Sequence, residues 1–215
     1  MSKIILFQGD SITDCKRNRE EDHFRGSGYA TMVSGVLGAE APFEYKFINR
    51  GIGGNRIVDL LARIRRDMVN LKPDYMSVLI GVNDVWHEYT SQNGVSTERF
   101  ERVYDMIIEE LKQELPDLKI MILEPFILPG SATGNTDAHP SRWEFFNEGV
   151  RKNACACKRI AEKHGLVYAP LQEMFDKANE NAPDGYWLFD GVHPTAAGHE
   201  LIKRAWLKGF EEMRK

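Results

Sequence analysis

The sequence predicts an α/β protein built on a doubly wound sheet. Two observations carry this expectation. Five short runs, at 3–7, 45–48, 75–80, 119–123 and 166–168, are rich in Ile, Val, Leu and aromatic residues, and they run apolar rather than alternating. Strands covered on both faces, as in a parallel sheet, have this pattern. Between the runs lie segments whose apolar residues recur at helical spacing, so strand and helix take turns along the chain.

The first run ends abruptly in Gln8-Gly9-Asp10-Ser11, and a polar stretch, 14–28, follows. The second leads into the glycine-dense Asn49-Arg50-Gly51-Ile52-Gly53-Gly54-Asn55. Ile57, Leu60, Leu61 and Ile64 then make a helical stripe, and Arg63-Ile64-Arg65-Arg66 on it reads as a solvated face. The third run leads into Gly81-Val82-Asn83-Asp84, and Phe100, Val103, Ile107 and Leu111 make the next stripe. The fourth is followed by 125–140, rich in Pro, Gly, Ser, Thr and Asn. After the fifth, Ala197, Leu201, Ala205 and Phe210 mark a final helix. Both long loops leave the carboxyl ends of strands, where open α/β sheets bind ligands. With no internal repeat and no linker, 1–215 reads as one domain.

The composition sets limits on function. Hydrophobic residues are 42% and charged residues 28%, with a net charge of −4, so disorder is not indicated and a basic nucleic-acid face is absent. Cys15, Cys155 and Cys157 are too few and too closely spaced for a disulfide framework or a zinc site, and read as reduced thiols. The apolar start is too short for a signal peptide, and no stretch approaches a membrane span. A cytoplasmic protein is expected, with a homo-oligomer left open.

Ser11 could be a turn or N-cap residue, since Gly-Asp-Ser is good turn chemistry. It could equally be a nucleophile, if a histidine removes its proton. Asp190-Gly191-Val192-His193-Pro194 offers that histidine, with a carboxylate three residues earlier that can fix its tautomer. Gly54 and Asn83, each past a different strand, could supply donors for an oxyanion. Tight-turn geometry and helix capping are the other readings of the two. Asp10 reads as the residue that orders the turn, and Asp14 as a cap for the next element. Thr13 stands where a G-x-S-x-G elbow would place its second glycine.

Four blocks, Gly9-Asp10-Ser11, Asn49-x-Gly51-x-x-Gly54, Gly81-x-Asn83-Asp84 and Asp190-x-x-His193-Pro194, together resemble the signature blocks of the SGNH (GDSL) hydrolases, in family order and across nearly the whole chain. The stretches 9–15, 81–86 and 190–199 resemble bacterial intracellular carbohydrate acetyl esterases of the acetylxylan-esterase type. The resemblance implies a three-layer αβα sandwich with a five-stranded parallel sheet. It implies Ser11 as nucleophile, His193 as base and Asp190 as its partner. It implies an oxyanion hole from the backbone N–H groups of Ser11 and Gly54 and the side-chain amide of Asn83. The expected substrate is a small acylated sugar, with no metal or cofactor.

Other residues are weaker candidates. Trp86, His87 and Tyr89 could wall a sugar pocket or pack under the following helix. His199 reads as a surface or helix-packing residue; His23 and His139 could reach the mouth of the site. A lysophospholipase or acyl-thioesterase remains an alternative on the same scaffold. A nucleotide-binding module is disfavoured, because Arg56 occupies the third glycine position of a G-x-G-x-x-G fingerprint. A metal hydrolase on Asp10, Asp14 and His193 lacks a ligand cluster.

Overall fold

A computed structural model describes residues 2–215. The chain runs β1 (Lys3–Gly9), α1 (Ser11–Asp14), α2 (Tyr29–Glu40), β2 (Tyr45–Asn49), α3 (Ile57–Ala62), α4 (Ile64–Asp67), a 3₁₀ turn (Val69–Leu71), β3 (Tyr75–Leu79), α5 (Val82–Ser91), α6 (Thr97–Glu114), β4 (Lys119–Leu123), α7 (Arg142–His164), β5 (Val167–Ala169), α8 (Gln172–Asn179) and α9 (Ala196–Met213). The five strands form one parallel sheet in the order β2-β1-β3-β4-β5. All five expected strands are present; β4 has the expected bounds and the other four differ by one or two residues.

The runs are apolar on both faces, apart from Lys3, Lys46 and Lys119 near their starts and the buried Ser77, because both faces are covered. Ile5, Phe7, Phe47, Leu79 and Leu123 point to one face, against Tyr29 and Val33 of α2 and Trp206 and Phe210 of α9. Leu6, Ile48, Met76, Val78 and Ile122 point to the other, against Leu60 of α3, Phe100 and Ile108 of α6 and Ile160 of α7. Alternate residues of a strand face opposite ways, so each strand feeds both cores.

Two helical expectations need correction. The stripe Ile57–Ile64 is not one helix: α3 and α4 are separated at Arg63, with φ −118° and ψ 14°. Arg63 is buried, not solvated. Its guanidinium donates to Gln8 Oε1, the Gly9 and Arg50 carbonyls, Asn55 Oδ1 and Asp67 Oδ2, at 2.7 to 3.2 Å. On α9 the inward stripe is Gly198, Ile202, Trp206 and Phe210, while Ala197, Leu201 and Ala205 lie at its margin.

The register sets the site. Gly9 pairs with Leu79 and Leu79 with Leu123, so the carboxyl ends of β1, β3 and β4 are level, while β2 ends at Asn49 opposite Phe7, two residues short of them. The winding direction reverses between β1 and β3, which opens a crevice at their carboxyl ends. Ser11 and Asn83 lie just past those two strands. No helix among the described residues is long and apolar enough to cross a membrane.

Candidate active site

Ser11 is presented by a short, heavily tied turn. Asp10 caps α1 by accepting the Ile12 backbone N–H on Oδ1 at 3.0 Å, as its sequence position suggested. Asp14 ends this helix instead of capping the next one. Its Oδ2 accepts from the Gly53 backbone N–H and from Arg19, both at 3.0 Å. Thus it joins the first loop to the glycine-rich one. Gly51 lets these loops meet, because a Cβ there would lie 2.3 Å from the Asp14 nitrogen. The glycines serve backbone packing here, which removes the ground for a dinucleotide fingerprint.

Sequence reasoning gave Asn49 no role beyond its motif. Its amide nitrogen donates to the Thr13 carbonyl at 2.6 Å and the Arg25 carbonyl at 2.9 Å, and its Oδ1 accepts the Gly51 N–H at 2.9 Å. A buried asparagine at the end of a strand, before a glycine turn, is the signal that could have marked it.

His193 and Asp190 reach Ser11 from the turn before α9. Asp190 Oδ1 accepts the backbone N–H groups of Val192 and His193 at 2.9 and 2.8 Å, and Oδ2 is 2.7 Å from His193 Nδ1. Nε2 of the same ring is 2.9 Å from Ser11 Oγ. With Nδ1–H donating to Asp190, the neutral ring has its lone pair on Nε2, facing the hydroxyl. Phe189 stacks on the ring at 5.6 Å between centroids.

The charges are tuned accordingly. The hydrogen bond to Asp190 lifts the His193 pKa; burial opposes it, and the charges of Asp190 and Asp10 add to the rise. Burial pushes the Asp190 carboxyl up, but the hydrogen bonds from His193 and Val192 outweigh it and hold it below its usual value. Burial lifts Asp10 and Asp84 to about 7 each. Asp84 sits beneath the site, accepting the Ile57 N–H on Oδ1 at 3.0 Å.

Gly54 has φ +80°, and its carbonyl is 3.0 Å from His87 Nε2. The Asn83 amide nitrogen donates to the Asn55 carbonyl at 3.1 Å, which leaves its second N–H available. Neither the Ser11 nor the Gly54 backbone N–H donates to a protein acceptor among the described residues.

A cavity of about 760 Å³ opens over Ser11 and His193, walled by Gly53, Phe189, His199 and the loop after α1. Gly54 and Asn83 are not among the residues that line it, nor are Trp86, His87, Tyr89, His23 and His139. Trp86 stacks on Phe146 at 4.9 Å, and Tyr89 bonds His139 at 3.0 Å. His199 is buried and packs on the core side of α9, accepting the Tyr29 N–H on Nδ1 at 3.2 Å. All three cysteines are free thiols. Asp10, Asp14 and His193 do not converge as metal ligands. Among the described residues only Asp105, Glu109 and His164 do so, and there Asp105 already bonds Lys163 and His164.

A doubly wound parallel sheet with serine, histidine and aspartate in relay at its carboxyl edge is the arrangement of an ester hydrolase. More particularly, residues 7–201 match the GDSL-like Lipase/Acylhydrolase family, and the chain belongs to it. It is 33% identical to an acetylxylan esterase of Geobacillus stearothermophilus, over 98% of this chain and 95% of that one. The crystal structure of an acetylxylan esterase from that organism superposes with a TM-score of 0.82 at 31% identity, covering 96% and 93% of the two chains. A Parabacteroides merdae protein described as a GDSL-like lipase gives 0.89 at 34%, covering 98% and 97%. Structures of the Geobacillus esterase described as catalytic mutants replace a serine, an aspartate and a histidine, the last two three positions apart.

Proposed function

We propose that this chain is a serine esterase that removes small acyl groups, acetyl first, from carbohydrates. Ser11 Oγ attacks the ester carbonyl carbon while His193 Nε2 takes its proton. The carbonyl oxygen becomes an oxyanion, held by the N–H groups of Ser11 and Gly54 and the free N–H of Asn83. When the C–O bond to the sugar breaks, His193 returns the proton to the departing sugar oxygen. Water, deprotonated by His193, then attacks the acyl-serine; the acyl–Oγ bond breaks, His193 returns the proton to Ser11 Oγ, and the carboxylic acid leaves. Asp190 holds the ring and stabilises the imidazolium at each stage. The enzyme works as one catalytic unit over 1–215, in the cytoplasm, without metal, cofactor or nucleic acid.

The observation that carries this reading is the 2.9 and 2.7 Å relay from Ser11 through His193 to Asp190. The relative's activity on acetylxylan supports the sugar ester. The test is acetate release from an acetylated xylooligosaccharide. Ser11→Ala should fold and lose all but background activity, since loss of a triad nucleophile costs orders of magnitude. A variant that kept more than about a tenth of kcat would remove Ser11 as nucleophile.

A further inference from the structure

The loop after α1 puts Lys16, Arg17 and Arg19 on the wall of the cavity that opens over Ser11. The chain carries a net charge of −4, so this is a local reversal of sign. Arg19 is offset by Asp14 at 3.0 Å. Nearby, Arg50 pairs with Asp22 and Arg63 with Asp67. Arg17 is different: it has no carboxylate partner among the described residues.

Arg17 is only 9% exposed. Its Nε–H donates to the Gly51 carbonyl at 2.9 Å, and Nη1 reaches the Asn18 carbonyl at a long 3.4 Å. A guanidinium carries five N–H donors, so three remain without a protein acceptor among the described residues. Burial pulls its pKa down, Asp14 opposes this, and Arg19, Arg50 and Arg63 reinforce it. Arg17 lines the open cavity, where a bound anion can take its unpaired donors in charge-assisted hydrogen bonds. His199, on the same wall, adds no charge: burial holds its pKa at about 4.

We propose that Arg17, with Lys16 beside it, forms a subsite for an anionic group on the substrate, and that the preferred ester is an acylated sugar bearing a carboxylate or a phosphate. This rests on the serine-esterase reading above. The planar fork of an arginine suits either oxyanion, through two parallel N–H···O bonds.

The experiment compares kcat/KM for three acetyl esters: of a neutral methyl xyloside, of the corresponding uronic acid with a free carboxylate, and of a sugar phosphate. At least one anionic ester should exceed the neutral one by about tenfold or more, mainly through KM, and the two anionic arms separate carboxylate from phosphate. The advantage should shrink between about 20 mM and about 0.5 M NaCl, as screening weakens the attraction. Arg17→Gln should cut the anionic-to-neutral ratio by about tenfold, and Arg17→Lys should keep part of it. A wild-type enzyme that hydrolyses the neutral ester as well as both anionic ones overturns the proposal. So does an unchanged ratio in folded Arg17→Gln, because a mere prop for the Gly51 carbonyl would lower all three rates together. Should Arg17→Gln not fold, the wild-type preference and its salt dependence decide. Should no ester be turned over, the esterase reading fails. Calorimetry with glucuronate and inorganic phosphate then decides the subsite, and absence of binding to both rejects it.

Discussion

The Asn49 amide nitrogen lies 2.6 Å from the Thr13 carbonyl oxygen, a bond that ties the end of β2 to the turn carrying Ser11. The same side chain holds the Arg25 carbonyl and the Gly51 N–H. Asn49→Ala leaves three polar groups unpaired, and each buried group so left costs about 1–3 kcal/mol. The variant should unfold at clearly lower urea and lose activity as the turn loosens. A midpoint equal to that of the wild type would show that water or a neighbour replaces these bonds.

His193 must be neutral to accept the Ser11 proton, and its pKa lies above the ordinary 6.5. Activity is absent where the ring is protonated and appears as pH rises through the raised pKa. The acid limb of kcat/KM should therefore fall above 6.5. Asp190→Asn removes the charge and the acceptor that raise it, so the limb should move to lower pH while kcat drops by up to about 10⁴-fold. A limb below 6.5 in the wild type, or an Asp190→Asn enzyme near full activity, contradicts the assignment.

In the proposed mechanism, Asn83→Ala removes one of the oxyanion donors. We expect kcat to fall by about 10²- to 10³-fold with little change in KM. A pure KM effect in steady-state kinetics would place Asn83 in ground-state binding instead.

The strands were legible because a strand buried on both faces is apolar on consecutive residues, not on alternate ones. On α9 the sequence offers two adjacent apolar stripes, Ala197-Leu201-Ala205 and Ile202-Trp206-Phe210, and the glycines at 198 and 209 conceal that the second faces the core. A Cβ on Gly198 would lie 2.3 Å from the Trp187 carbonyl oxygen, and one on Gly209 2.4 Å from Met121 Sδ, so these glycines mark the closest approach. Arg63 looked like surface charge since four of its acceptors, on Gln8, Gly9, Arg50 and Asn55, belong to segments that only the fold brings to it. Ser11 and His193, 182 residues apart, were paired by chemistry and motif order. Their contact needed the level strand ends. Trp86 and His87 could not be placed by residue type alone, because an aromatic near a site packs inward or outward with the same local sequence.

The last prediction concerns the acyl group. A channel for a long chain would be lined by apolar side chains, since each buried CH₂ contributes about 0.8 kcal/mol. In 125–140 the large aliphatic residues are Ile127 and Leu128. Both are buried in the core, where Gln172 ties the Ile127 backbone from both sides, so they offer no open groove. The cavity over Ser11 is mixed: Asp14, Lys16, Arg17 and Arg19 form its charged side, and Ile12, Phe189, Pro194 and Ala196 contribute apolar surface. Extending an acyl chain along such a wall would desolvate charged groups without giving them partners, which offsets the gain from the added methylenes. Acetyl esters should therefore exceed octanoyl esters in kcat/KM. The check uses 4-nitrophenyl acetate and octanoate below their solubility limits, alongside acetate release from a peracetylated sugar. A clear preference for octanoate, with no acetate freed from the sugar, would replace the carbohydrate reading with a lipid or thioester substrate.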